Sequence, residues 1–319
     1  MRSRPVDVPA LVTAARDGSA RAVARLITLV ENADPALREV MAALAPHTGS
    51  AWVIGLTGSP GVGKSTTTNT LVAAFRERGL RVGILAVDPS SPFSGGALLG
   101  DRIRLLDHAL DPHVYTRSMA SRGHLGGLSF AAPQALRVLD AAGCDVILVE
   151  TVGVGQSEVE IAALADTTIV LLAPGMGDGI QAAKAGILEI GDVFVVNKAD
   201  RDGVNTTVRD LRAMISLGER TEAGAWRPPV EKLVAERGEG RDDVVAALDK
   251  HHAWLVEHDV LRERRIARAE GEIAAIALQT LRLRMTDPRR DDNLNELAAR
   301  VVAGKIDPYA AADELVEAL

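Results

Sequence analysis

The chain has 319 residues and a formal net charge of −7 at pH 7, with 47% hydrophobic and 25% charged residues. This composition is typical of a globular protein with a sizeable core, and the acidic balance argues against a basic nucleic-acid-binding surface. The single cysteine, Cys144, excludes an internal disulfide framework and a cysteine-rich metal site.

The first 48 residues are predicted to be helical. Ser19 is a suitable N-cap for a helix over Ala20–Glu31, whose apolar residues recur at helical spacing. A further helix is expected from Asp34 to near Pro46. The N-terminus shows no apolar leader segment, and glycines and prolines interrupt the longest stretch without Asp, Glu, Lys or Arg, residues 40–63. We therefore expect no membrane span and a cytoplasmic location.

From residue 51 short apolar runs alternate with helical stretches. Five runs are predicted as strands: Trp52–Leu56, Val82–Val87, Val146–Val149, Thr168–Leu172 and Val193–Val196. This alternation is typical of βαβ units, and the continuous apolar character fits strands that are buried on both faces. The predicted fold class is therefore α/β, a doubly wound and mostly parallel sheet with helices on both faces.

Past residue 225 the chain is expected to be helical again. Residues 242–285 form a long periodic stretch, and residues 291–319 are predicted as two short helices separated at Gly304 and Pro308. The pair His251-His252 falls in this helical part without a neighbouring cysteine, so we expect a solvent-exposed helix face there rather than a metal site.

The segment GSPGVGKS, residues 58–65, matches the pattern G-x-x-x-x-G-K-[ST] between a predicted strand and a predicted helix. Its glycines allow backbone N–H groups to surround phosphates, and a helix N-terminus favours anions. Lys64 is expected to be an exposed ligand of the β/γ-phosphates, and Ser65 a ligand of Mg²⁺. The predicted phosphate-binding residues are Gly58, Ser59, Pro60, Gly61, Val62, Gly63, Lys64, Ser65 and Thr66.

The fifth predicted strand is followed by Asn197-Lys198-Ala199-Asp200. A carboxylate there can accept hydrogen bonds from N1–H and the 2-amino group of guanine, and adenine offers no such pair of donors. Asn197 and Lys198 are expected to brace the loop and the plane of the base. We therefore predict GTP and GDP, rather than ATP, as the bound nucleotides.

Acidic residues stand at the ends of two predicted strands. Asp88 follows the second strand, and Glu150 follows the third within Glu150-Thr151-Val152-Gly153. Because Mg²⁺ prefers oxygen ligands, the predicted metal site is Ser65, Asp88, Asp101 and Glu150. The sequence E-T-x-G resembles the D-x-x-G motif of GTPases, so Gly153 N–H is expected to bond the γ-phosphate.

Three glycine-rich segments lie near the same strand ends: residues 89–102, 117–128 and 174–186. Segments of this length are often lids or switches. Lys184, in the third segment, either reaches the phosphates, pairs with a carboxylate, or is an exposed helix lysine. Val154 stands where Ras-like enzymes carry a water-orienting glutamine, so hydrolysis is expected to be slow without a partner.

Five segments together resemble the MeaB/ArgK family of SIMIBI-class P-loop GTPases, which are chaperones of adenosylcobalamin-dependent methylmalonyl-CoA mutase. The segments are VDPSSPFSGGALLGDRIR, RSMASRGHLGGLS, VETVGVGQSE, PGMGDGIQAAKAGILEI and VVNKAD. The resemblance is dense from Trp52 to Asp200 and looser in the flanking parts of the chain.

The resemblance implies a homodimer with an N-terminal helical segment at 1–48, a GTPase domain at 49–240 and a C-terminal helical dimerisation region at 241–319. Asp88, Asp101 and Glu150 match metal- and switch-region acids of the family. Lys184 matches a lysine of a third switch, so Lys64, Glu150 and Lys184 form the expected catalytic set. GTP hydrolysis would then control cobalamin loading and protect and reactivate the mutase.

Some assignments stay open at this point. Val234 stands where family members often have serine, so Val234 and Ala235 are only candidates for capping the guanine base. The client could be a methylmalonyl-CoA or an isobutyryl-CoA mutase.

Three other functions compete with this one. An ATP-dependent kinase linked to amino-acid transport is disfavoured by Asp200. A nucleotide-dependent metallochaperone is disfavoured by the single cysteine and the lack of a histidine-rich tract. A pure scaffold is disfavoured by the intact phosphate loop.

Overall fold

The structure, a computed structural model, describes residues 6–89, 108, 110–121, 131–151, 157–175, 188–217, 224–285 and 291–317. Contacts divide the chain into two compact units, residues 1–262 and 263–319. The strands are β1 Trp52–Thr57, β2 Val82–Pro89, β3 Val114–Ser121, β4 Val146–Thr151, β5 Thr167–Leu172, β6 Val193–Asn197 and β7 Val230–Leu233. The helices are α1 Val8–Arg16, α2 Ala20–Glu31, α3 Leu37–Leu44, α4 Lys64–Glu77, α5 Ala132–Ala141, α6 Ser157–Leu164, α7 Leu188–Ile190, α8 Val204–Leu217, α9 Arg241–Glu257, α10 Val260–Met285, α11 Asp291–Val302 and α12 Pro308–Glu317. None of the helices in these ranges is long and apolar enough to cross a membrane.

The seven strands form one sheet in the order β3-β2-β4-β1-β5-β6-β7, and every neighbouring pair is parallel. The predicted α/β fold class is therefore confirmed. Strands β2, β3 and β4 lie on one side of β1, and strands β5, β6 and β7 lie on the other side, so the order of the strands reverses at β1. In open sheets of this kind, ligands bind beyond the carboxyl ends of the strands at the place where the strand order reverses.

The two edge strands were not predicted from the sequence. β3 covers the start of a segment expected to be a glycine-rich loop, and β7 lies in the part expected to be helical, so both expectations are wrong at these residues. An edge strand has one neighbour and a partly exposed face, so its sequence lacks the continuous apolar run of a central strand. In β7 only the first and last residues, Val230 and Leu233, are buried.

Alternate residues of the strands feed two apolar layers. Val53 and Ile147 face a layer formed with α1–α3, α5 and α6. Ile54 and Leu148 face the opposite layer, which is formed with α4 and α9. Both faces of the central strands are therefore covered, which explains their nearly continuous hydrophobic sequences.

The predicted N-terminal helix is confirmed as α2. Ser19 Oγ accepts a hydrogen bond from Ala22 N–H over 3.3 Å, as an N-cap does. Leu26, Ile27 and Val30 are buried in the layer that α5 also contributes to. The helical N-terminus is thus part of the core of the first unit.

His251 lies inside the protein, so the prediction of a solvent-exposed face is wrong for this residue. Its side chain is fully buried on α9, where Nδ1 lies 2.9 Å from Thr167 Oγ1 and Nε2 lies 3.3 Å from Asp192 Oδ1. Trp226 packs on the imidazole with ring centroids 4.8 Å apart. Two polar residues at the amino ends of β5 and β6 therefore hold the ring in place.

The second unit contains most of α10 together with α11 and α12. Its small core consists of Leu297, Ala311 and Leu315. Arg300 donates two hydrogen bonds to Glu314, which lower the pKa of that carboxyl group. The predicted separation of α11 and α12 at Gly304 and Pro308 is confirmed.

Candidate nucleotide-binding site

The loop between β1 and α4 requires glycine at two positions because neighbouring groups leave no space for a side chain. A Cβ atom on Gly58 would lie 2.3 Å from the backbone oxygen of Leu171. A Cβ atom on Gly63 would lie 2.3 Å from Asn197 Nδ2. Both glycines also have positive φ, 142° and 96°, which other residues rarely adopt. Neighbouring strand ends therefore set the path of the predicted phosphate loop.

Lys64, the first residue of α4, is buried with 8% of its surface exposed, so the expectation of an exposed lysine is wrong. The reason is that its ammonium folds back into the loop. Nζ donates to Gly58 O over 2.6 Å and is 3.4 Å from Ser59 O. The positive charge therefore sits within the loop that is predicted to surround the phosphates.

Glu150 joins β4 to the first turns of α4. Its carboxylate is buried, and it accepts hydrogen bonds from Ser65 Oγ over 2.6 Å and from Thr68 Oγ1 over 2.9 Å. The two hydroxyl groups and the carboxylate all present oxygen atoms, the kind of ligand that Mg²⁺ prefers. The Ser65 hydroxyl can donate to Glu150 while its lone pairs remain available to a cation. The residues present therefore fit a magnesium ion bound next to Ser65.

Thr68 was not predicted from the sequence. It follows Ser65 by three residues and so lies on the same face of α4, which is the signal that could have identified it. Its hydroxyl hydrogen bond to Glu150 shows that the carboxylate is held by two side chains of one helix.

Asn197 connects the phosphate loop with the loop that follows β7. Its Nδ2 donates to Val62 O over 2.8 Å, and its Oδ1 accepts from Ala235 N–H over 3.1 Å. Lys198, which has a positive φ of 57°, donates from Nζ to Gly61 O over 2.6 Å. The strand end at β6 thus holds together two loops that are distant in sequence.

Asp200 lies on the surface beside these loops, with 41% of its side chain exposed. Arg237 Nη1 lies 3.6 Å from Asp200 Oδ2, a contact that links residues 37 positions apart and has no local sequence signal. The exposed carboxylate is available to a ligand that brings N–H donors.

The two candidates for base capping, Val234 and Ala235, are buried. Their backbone N–H groups bond to Glu239 O and Asn197 Oδ1, respectively. Thr70 Oγ1 donates to the Ala235 carbonyl over 2.8 Å. These two residues therefore tie the loop to the protein through their backbone.

Several predicted site residues cannot be placed. Asp88 belongs to β2, and its neighbour Val87 is in register with Thr151 of β4, so its backbone lies at the same edge of the sheet as Glu150. The side chain of Asp88 and the whole of Asp101, Gly153 and Lys184 lie outside the described residues. The structure thus brings together the phosphate loop, Glu150, Asn197, Lys198 and Asp200.

Comparisons with known proteins give consistent findings. A family model described as methylmalonyl-CoA mutase-associated GTPase MeaB matches residues 23–289. A Pyrococcus abyssi protein whose name describes it as a GTPase is 45% identical over 308 residues, 96% of this chain and 95% of that protein. The Mus musculus protein named methylmalonic aciduria type A homolog, mitochondrial, is 32% identical over 98% of this chain and 79% of that protein. A crystal structure of an LAO/AO transport system kinase is similar with a TM-score of 0.73, 24% identity and 99% coverage of both chains, which shows a shared fold.

Proposed function

The chain belongs to the MeaB family of GTPases, and from this premise we propose that it uses GTP hydrolysis to serve an adenosylcobalamin-dependent acyl-CoA mutase, with methylmalonyl-CoA mutase as the expected client. In this proposal it is a chaperone that assembles, protects and reactivates the mutase by controlling cofactor transfer. The proposed chaperone is a cytoplasmic homodimer. The family description and the name of the mouse relative support the link to the mutase.

The observation that best supports guanine-nucleotide chemistry at this site is the double contact of Asn197. By bonding both Val62 and Ala235, Asn197 places the phosphate loop at a defined position relative to Asp200, three residues further on. A nucleotide that reaches from the phosphate loop to Asp200 puts its phosphates at the N-terminus of α4 and its base at Asp200. In this proposal the phosphate loop binds one end of GTP, Asp200 binds the other end, and Asn197 fixes the two relative to each other.

The residues of the phosphate loop have distinct roles in this proposal. Lys64 exchanges its bonds to loop carbonyl oxygens for bonds to the β- and γ-phosphates. Glu150 orients the Ser65 hydroxyl, and Ser65, Glu150, Asp88 and Asp101 would hold Mg²⁺ directly or through water. A magnesium ion held there would neutralise phosphate charge. Gly153 is proposed as the donor to the γ-phosphate.

The client is expected to accelerate GTP hydrolysis. Val154 follows Gly153 in place of a water-orienting glutamine, so turnover by the chain alone should be slow. A switch acts on a partner only if its two states bind that partner differently. If the mutase lowers the activation free energy of hydrolysis by about 1–3 kcal/mol, the rate rises roughly fivefold to 150-fold.

The test is the rate of phosphate release from GTP with and without a purified adenosylcobalamin-dependent mutase. Stimulation of about tenfold or more supports the proposal, and Lys64→Ala should abolish turnover in both conditions. Lys184→Ala should lower the ratio of stimulated to basal rate, because Lys184 is proposed as the lysine of the third switch. Unchanged turnover at saturating mutase, or equal turnover of ATP and GTP, would contradict the proposal.

A further inference from the structure

The loop that follows β7 is a tight turn with a fixed position. An antiparallel bridge joins Val234 to Glu239, and Val234 N–H donates to Glu239 O over 2.9 Å. Within the turn, Arg237 N–H donates to Val234 O over 3.0 Å. Because Ala235 N–H is bonded to Asn197, the backbone that carries Arg237 is tied to the nucleotide site.

The side chain of Arg237 is directed to Asp200 by a third residue. Arg237 Nε donates to Glu239 Oε1 over 2.7 Å, and Nη1 then lies 3.6 Å from Asp200 Oδ2. That second distance is longer than a hydrogen bond. The carboxylate oxygens of Asp200 therefore keep their capacity to accept bonds from a ligand, while a guanidinium with unused N–H groups stands beside them.

This pair of opposite charges matches one edge of guanine. That edge presents two donors, N1–H and the 2-amino group, and one acceptor, O6, on the carbon next to N1. A carboxylate satisfies the donors, and a guanidinium, which has only donors, satisfies the acceptor. We propose that Arg237 is a specificity-determining residue for the base, whose guanidinium, held by Glu239 beside Asp200, donates to the 6-oxo group of guanine.

The inference rests on the proposed function in one respect, the placement of the base at Asp200. Backbone donors of the same loop are largely committed, since the N–H groups of Val234 and Ala235 bond within the protein. Glu236 N–H has no hydrogen-bond partner among the described residues and can serve one lone pair of O6, which leaves the other to Arg237. Adenine carries an amino donor at position 6, and Arg237 has no acceptor for it.

The experiment measures dissociation constants of nucleoside diphosphates by calorimetric titration of the full chain and of Arg237→Ala. GDP and IDP both carry the 6-oxo group, whereas 6-thio-GDP carries a sulfur atom, which is a weak acceptor. We expect Arg237→Ala to weaken GDP and IDP binding by the same factor, roughly threefold to tenfold for a partly exposed charged hydrogen bond. Binding of 6-thio-GDP should change by less than about twofold.

Arg209→Ala is the matched control, because Arg209 is exposed and forms an ion pair with its neighbour Asp210. Glu239→Gln should reproduce part of the Arg237→Ala effect, since it weakens the bond that directs the guanidinium. Equal losses for GDP and 6-thio-GDP would overturn the inference, as would no loss for either. Tighter GDP binding by Arg237→Ala would also overturn it, since Arg237 would then compete with the base. If the unaltered chain binds ADP as tightly as GDP, the placement of guanine at Asp200 is itself wrong.

Discussion

Single residues in the nucleotide site work by contacting two partners at once. Asn197 bonds Val62 with its amide nitrogen and Ala235 with its amide oxygen, and Glu150 receives one hydroxyl on each carboxylate oxygen. Such bifunctional contacts fix the loops around the ligand before it binds, which reduces the ordering cost of binding. Asp200 differs because its exposed carboxylate has its acceptors available for the base.

Asp200→Asn is expected to change the preferred base. The amide that replaces the carboxylate presents a donor where guanine also presents donors, so GDP affinity should fall by roughly tenfold to a hundredfold. Xanthine has an oxygen at position 2 and should bind the variant better than the unaltered chain. Titration with GDP and XDP measures both effects.

The control for this substitution is Asp202→Asn, which removes a nearby exposed carboxylate. It should leave both affinities within about twofold. If Asp200→Asn retains the GDP affinity of the unaltered chain, Asp200 does not read the base.

At the scale of elements, α9 runs from the carboxyl ends of the strands, where the base is proposed to bind, to their amino ends. It begins after Gly240, next to the loop that carries Arg237, and it carries His251 at the amino ends of β5 and β6. The three tryptophans, Trp52, Trp226 and Trp254, each pack on His251 or His252 of this helix. Tryptophan fluorescence therefore reports on the packing of α9 against the sheet.

His251→Leu is expected to lower the free energy of unfolding by about 1–3 kcal/mol. The substitution keeps a side chain of moderate volume but removes the ring nitrogens that face Thr167 and Asp192 in a fully buried place. Urea unfolding followed by tryptophan fluorescence measures the change.

His113→Leu is the matched comparison, because His113 is exposed. Its effect should stay within about 0.5 kcal/mol. Equal effects of the two substitutions would mean that the buried contacts of His251 contribute nothing particular to stability.

At the scale of the whole molecule, the two units differ in how much apolar surface they leave open. Within α10, the side chains with 39–67% exposure include Ile266, Ile273, Ile276, Leu278 and Leu281. A helix with so many exposed apolar residues usually has a partner. We propose that a second copy of the chain covers them in a homodimer.

Ile273→Glu in the full chain is expected to weaken dimerisation, because it places a charge on the most exposed of these isoleucines. Sedimentation velocity over a range of protein concentrations measures the dissociation constant. A chain ending at Arg262 should be monomeric at all of them. A shorter chain ending near residue 245 would be unsuitable, since it would lose Leu248, His251 and Leu255, which are buried in the first unit.

Substitution of an exposed charged residue on the same helix, Arg284→Glu, provides the comparison and should have a smaller effect. Continued dimerisation of both Ile273→Glu and the chain ending at Arg262 would place the dimer contacts elsewhere.

The sequence alone determined those features whose causes lie close together along the chain. The phosphate loop, the central apolar strands, the cap at Ser19 and the break at Gly304 each depend on a few neighbouring residues, and the structure shows the elements that they predict. The residues around Asn197 could be identified as a candidate site for the same reason, since their pattern follows a buried strand directly.

Tertiary structure decided what depends on contacts between distant residues. β3 and β7 are strands because each pairs with a neighbouring strand at an edge of the sheet, although their sequences are partly polar. His251 is buried because its ring nitrogens face Thr167 and Asp192 at the amino ends of β5 and β6. Lys64 is buried because the loop carbonyls attract its ammonium, and Arg237 meets Asp200 only because two loops converge beside β6. These outcomes follow from hydrogen bonds, ion pairs and strand pairing between groups that are distant in sequence, and such contacts stabilise the fold only after the chain has brought the partners together.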